Sequence, residues 1–166
     1  YWLDRIDCRK ENASILSAVG IFAHGRCSAH AQNIMMNFTQ LTPLDYVNYR
    51  RYFENQRYPL CAYSLSSIIA WSNAEYQPYG AEYEDAFVVA AEFEEVKKNR
   101  HLLLPISPTR MFTPEELVSV VKLAEHTAFW FVPWEYVEHF GEDAVGRYFK
   151  IERQAAYDDY VYRVED

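Results

Sequence analysis

His101-Leu102-Leu103-Leu104-Pro105-Ile106, then Thr113-Pro114-Glu115-Glu116-Leu117, then Ala128-Phe129-Trp130-Phe131-Val132 is the stretch that sets the fold class. Its first and last pieces are compact apolar runs of strand length, the pattern of strands buried on both faces. Pro105 has no N–H to give a ladder and favours the end of its strand. Between the two runs, Thr113 stands as an N-cap and Pro114 as the first helical residue. Glu116 sits where a capping-box carboxylate reaches back. Leu117, Val120, Val121 and Ala124 recur at i, i+3, i+4, i+7, which predicts an amphipathic helix over 114–127.

Upstream, Asp85 to Phe93 is another buried strand, separated from His101 by the charged turn Glu94 to Arg100. Thr42, Pro43 and Asp45 repeat the cap–proline–acid signal and predict a helix over 43–55, with Tyr46, Tyr49 and Phe53 facing the core. Asn37 to Leu41 alternates, as a half-buried strand does. Ser64 offers a cap to a short helix over 65–73 that has Leu65, Ile68 and Ile69 on one face. Residues 75–84, rich in Tyr, Glu, Pro and Gly, read as a loop or irregular strand. Downstream, Pro133 to Phe140 reads as a short helix with Gly141 at its C′ position. Tyr148–Glu152 and Tyr160–Val164 both alternate, with a turn expected over Ala155–Asp159. The resulting order places paired strands in the middle and helices on the faces, an α+β fold with a mixed sheet.

The chain has 166 residues, half of them hydrophobic, with 14 Tyr, 10 Phe and 4 Trp. At this length about 70% of the unfolded surface is buried on folding, which excludes a disordered or disulfide-scaffold chain. The net charge of −8 repels phosphate and argues against nucleic-acid or anionic-membrane binding. Three cysteines without regular spacing point to a reducing, cytoplasmic setting. The charge is unevenly spread: residues 1–35 carry four basic and three acidic side chains, residues 36–166 twelve and twenty-one, and all tyrosines but Tyr1 lie in the second block. This break, with Met35-Met36 at the seam, leads us to expect an extension or leader over 1–35 and the domain proper over 36–166.

Within the first block, the apolar run 15–23 is too short to span a bilayer. Ala29-x-Ala31 resembles a signal-peptidase site, but Asp4, Asp7 and Glu11 offset Arg5, Arg9 and Lys10, so the positive n-region is missing. Cys8, His24, Cys27 and His30 invite a zinc reading. No tight Cys-x₂₋₄-Cys knuckle is present, however, and the expectation is no metal. The chain also lacks a Gly-x-Gly-x-x-Gly turn, a P-loop, a Gly-x-Ser-x-Gly elbow and a His-Glu-x-x-His frame. Adjacent acids such as Glu115-Glu116 and Asp158-Asp159 read as solvated faces, and Cys61 reads as a buried, inert thiol.

Several motifs recur in a recognisable order. Phe38-Thr39-Gln40-Leu41-Thr42-Pro43-Leu44-Asp45-Tyr46 leads into the first helix. Tyr63-Ser64 with Trp71 follows, then Leu102-Leu103-Leu104-Pro105, Val132-Pro133-Trp134-Glu135-Tyr136-Val137, and Asp159-Tyr160-Val161-Tyr162. Over 36–166 this series resembles the opening half of the phosphatidylglycerol lysyltransferase C-terminal-like family, bacterial proteins built from two GNAT-like (acyltransferase-like) domains in tandem. The resemblance implies a GNAT-like domain, truncated here before a second GNAT-like domain of the same parent chain. It also implies acyl-CoA or aminoacyl-tRNA as the parent's donor. The [Arg/Gln]-x-x-Gly-x-[Gly/Ala] loop that would hold a CoA pyrophosphate on helix-start N–H groups is absent from 36–166, so no cofactor is expected in this half. Nor is nucleic acid expected on it, because of its acidity. Tyr63, Ser64, Trp71, Tyr160 and Tyr162 are the candidates for lining the cleft between the two domains, with core packing as the competing role, above all for Trp71. Two alternatives remain at this stage: a non-enzymatic protein-interaction module, and a stand-alone acetyl-CoA-dependent N-acyltransferase.

Overall fold

A computed structural model describes residues 3–8, 35–93 and 100–154. The strands are β1 (Leu3–Cys8), β2 (Thr39–Gln40), β3 (Tyr76–Tyr83), β4 (Ala86–Phe93), β5 (His101–Leu102), β6 (Ala128–Pro133) and β7 (Phe149–Arg153). The helices are α1 (Tyr46–Phe53), α2 (Leu65–Ala70), α3 (Pro114–Leu123), α4 (Trp134–Phe140) and α5 (Glu142–Gly146). The strands form one mixed sheet in the order β2-β3-β4-β5-β6-β1-β7. The fold is α+β, a mixed sheet with flanking helices, as the sequence predicts.

Two antiparallel blocks make up the sheet. β2, β3, β4 and β5 form the first, β6, β1 and β7 the second. Among the described residues they join only through β5 and β6, which run parallel and pair at Leu102↔Phe129. α3 is the crossover that this parallel pair requires. It starts as the sequence predicts: the Thr113 hydroxyl accepts from the Glu116 N–H while the Glu116 carboxylate accepts from the Thr113 N–H at 2.7 Å.

α1 lies on the face of the sheet that presents Phe87, whose ring meets Tyr49, Tyr52 and Phe53 at centroid distances of 4.4, 5.7 and 5.9 Å. Tyr46 is exposed instead, because the helix starts on a 3₁₀ turn over Pro43–Asp45, and tighter winding rotates the first turn off the inward stripe. The C-terminal end of α3 lies on the opposite face, against Ala90 and Tyr79.

Three elements differ from the sequence-based expectation. Residues 76–83 form a regular strand, paired with β4 along its whole length from Tyr76↔Phe93 to Tyr83↔Ala86. The poor propensity of Pro78 and Gly80 is overridden because Gly80 is what lets the Phe87 ring lie flat on β3. A Cβ at Gly80 would stand 2.2 Å from Phe87 Cζ and 2.9 Å from Leu41 Cδ2. Secondly, a short helix, α5, follows Gly141, whose φ of 86° turns the chain between α4 and α5. Thirdly, the break in composition at residue 36 is not a break in the sheet. β1 lies in its interior, between β6 and β7, with Leu3 and Ile6 buried in the core. Residues 3–8 look charged in sequence, yet the alternation buries Ile6 while Arg5 and Asp7 pair at 2.7 Å on the other face.

Arg5 also ends an aromatic row that crosses the sheet. Its guanidinium lies 5.4 Å from the Trp130 ring centre, Trp130 stacks on His101 at 4.4 Å and 7°, and Phe93 and Tyr76 continue the row. Cation–π and stacked pairs of this kind contribute about 0.5–1.5 kcal/mol each beyond area burial. They bind β1 to the first antiparallel block through β6.

Two substitutions test this packing. Gly80→Ala is expected to cost about 1–3 kcal/mol by overpacking, measured by urea unfolding, and Phe87→Leu in the same chain should return part of that loss. Ile6→Ala is expected to lower global stability by about 2–5 kcal/mol. A chain whose unfolding midpoint ignored Ile6→Ala would place residues 3–8 outside the cooperative core.

Candidate functional site

The place to look for a site is where β5 and β6 part, because a diverging parallel pair leaves backbone groups and a cleft at its strand ends. After Leu102 the β5 backbone stays with β4. The Leu103 N–H donates to Val89 O, and Phe87 and Ile106 exchange both backbone hydrogen bonds at 2.9 Å. β6 turns the other way. Its register against β1 slips between Asp4↔Val132 and Ile6↔Phe129, so β6 carries one extra residue, a β-bulge that bends the strand. Phe131 absorbs the bend with a φ of 57°, and its N–H donates to Gln154 Oε1 at 2.9 Å.

Alternation turns the Leu104 N–H away from β4, toward the side that β6 has left. Tyr63 fills that side. It is fully buried, and its hydroxyl accepts the Leu104 N–H at 3.3 Å. Tyr58 packs on it at 4.9 Å. Tyr136 of α4, also buried, donates to Phe112 O at 2.9 Å. Burial raises the phenol pKa of Tyr63, Tyr58 and Tyr136 well above the ordinary value of 10. These hydroxyls therefore stay protonated and act as hydrogen-bonding packers, not as acid–base groups near neutral pH.

The loop from Ser107 to Thr113 closes one end of the wedge. Arg110 is its hub, reaching Glu84 at 2.6 Å, Asp85 at 3.1 Å and Glu116 at 2.7 Å, with its guanidinium 3.9 Å from the centre of the Phe112 ring. Ser107 and Thr109 hydroxyls donate to the same Asp85 carboxylate. Thr109 above all, with Arg110 and Ser107, holds the Asp85 carboxyl below its ordinary 3.8. The Thr113 N–H above all, with the Thr113 hydroxyl and Arg110, holds Glu116 below 4.5. A carboxylate of the chain thus occupies the N-terminus of α3, the place where a helix would otherwise take an anion.

Of the five sequence candidates, Tyr63, Ser64 and Trp71 lie among the described residues, and Tyr63 and Ser64 both border a shallow recess that Trp71 does not line. Tyr63 is a core residue in the wedge. Ser64 is half-buried and lies at the edge of a shallow recess against Tyr46, Arg50 and Phe53; its hydroxyl bonds Ser66 Oγ at 2.9 Å and does not cap α2. Trp71, expected in the core, is 42% exposed, because α2 ends at Ala70 and leaves Trp71 on its last turn. Tyr160 and Tyr162 lie outside the described residues, as do the turn over 155–159, the strand over 160–164, and His24, Cys27 and His30. Cys61 is exposed, not buried, since Ala62 and Tyr63 take the inward positions of its 3₁₀ turn. Among the described residues no cluster of three or more His, Cys, Asp or Glu could hold a metal ion, and no helix is long and apolar enough to cross a membrane.

Sequence reasoning missed Arg110 and Tyr136. The Thr113-Pro114-Glu115-Glu116 signal placed a carboxylate within a turn of Arg110. The other two acids come from the β3–β4 turn, which no local pattern connects to it. The chain matches no family model, no curated protein and no solved structure.

The sign of the acid response follows from the two depressed carboxyls. Their contribution is present above the unfolded values of 3.8 and 4.5 and is lost as pH falls through the lower folded values. Stability should therefore decline with acidification below about pH 5, and Arg110→Met should flatten that decline. Urea midpoints measured from pH 7 to pH 3 report it, and parallel curves for the two chains would remove Arg110 from the network.

Proposed function

We propose that this chain is the non-catalytic, GNAT-like half of a bacterial acyl- or aminoacyl-transferase, and that it forms a wall beside a second, GNAT-like domain that binds the donor. The filled wedge carries this reading. A donor such as acyl-CoA needs strand-edge N–H groups and a helix N-terminus left free, and here Tyr63 takes the Leu104 N–H while Glu116 and Arg110 occupy the start of α3. The α+β fold, a mixed sheet with flanking helices, is compatible with this reading. The substrate of the parent enzyme would then be met by surfaces outside the wedge.

A second reading, a protein-interaction module, draws support from Leu44 and Val47, 87% and 72% exposed one helical turn apart at the start of α1. On either reading that stripe faces a partner. The two readings differ in whether the partner belongs to the same parent chain.

A thermal-shift titration with acetyl-CoA tests the first. No shift is expected for this chain. A ligand at 100 times its dissociation constant would add about 2.7 kcal/mol, and a shift of that size would establish a stand-alone acyltransferase instead. The coding sequence downstream of Asp166 decides between the two partner readings: a second domain supports the transferase half, and a stop codon overturns it.

A further inference from the structure

We draw no further inference here: the strongest candidate, the exposed apolar stripe of Leu44 and Val47 at the start of α1, carries nothing beyond the reading already given, because Arg50 and Arg51 of the same helix already pair with Glu54 and Glu82 and nothing in the structure shows what covers the stripe.

Discussion

The structure depends on the junction between β5 and β6. Two antiparallel blocks, each closed by local pairing, share one parallel rung at Leu102↔Phe129. A single rung cannot hold the two blocks, because a backbone hydrogen bond contributes only about 0.5–1.5 kcal/mol net. What joins them is side chains on both sides of the rung. Below it, the Phe93–His101–Trp130 row continues the first block onto Arg5 of β1. Above it, the strands part and Tyr63 fills the opening.

The parting and the filling have one cause. Phe131 adopts a φ of 57°, which costs of order 1–3 kcal/mol for a residue with a Cβ and bends β6 away from β5. Were the wedge left open, the Leu104 N–H would be buried without a partner, at a further cost of about 1–3 kcal/mol. Tyr63 removes the second cost, and the burial of its ring and those of Tyr58 and Tyr136 offsets the first. The residue that looked in sequence like a member of a Tyr-Ser cleft motif is thus required by the bulge one strand away.

How far the sequence could be read tracks how local the physics is. α3 was legible in full at its N-terminus, because Thr113, Pro114 and Glu116 satisfy each other within one turn. Its end at Leu123 came earlier than the periodicity suggests, because Glu125 leaves the helix in a left-handed conformation that no residue-type preference announces. The regularity of β3, read in sequence as a loop or irregular strand, was hidden because its Pro78 and Gly80 carry poor strand propensity, whereas the pairing with β4 and the room for Phe87 act across the sheet. β1 was misread for the same reason at longer range: its neighbours Phe129 and Ile151 lie more than a hundred residues away in sequence, and its charged alternation reads as surface. Of the candidate cleft residues among the described ones, Tyr63 serves as packing in the wedge. The Arg110 hub could not be assembled from sequence, since two of its three acids arrive from another turn.

The wedge and the start of α3 follow one rule. At both, a backbone N–H that a ligand could have used is taken by the chain's own oxygen: Leu104 by the Tyr63 hydroxyl and Thr113 by the Glu116 carboxylate. Such internal satisfaction favours a rigid fold over a binding site, because a ligand entering either place must first displace an interaction at least as good as the one it offers.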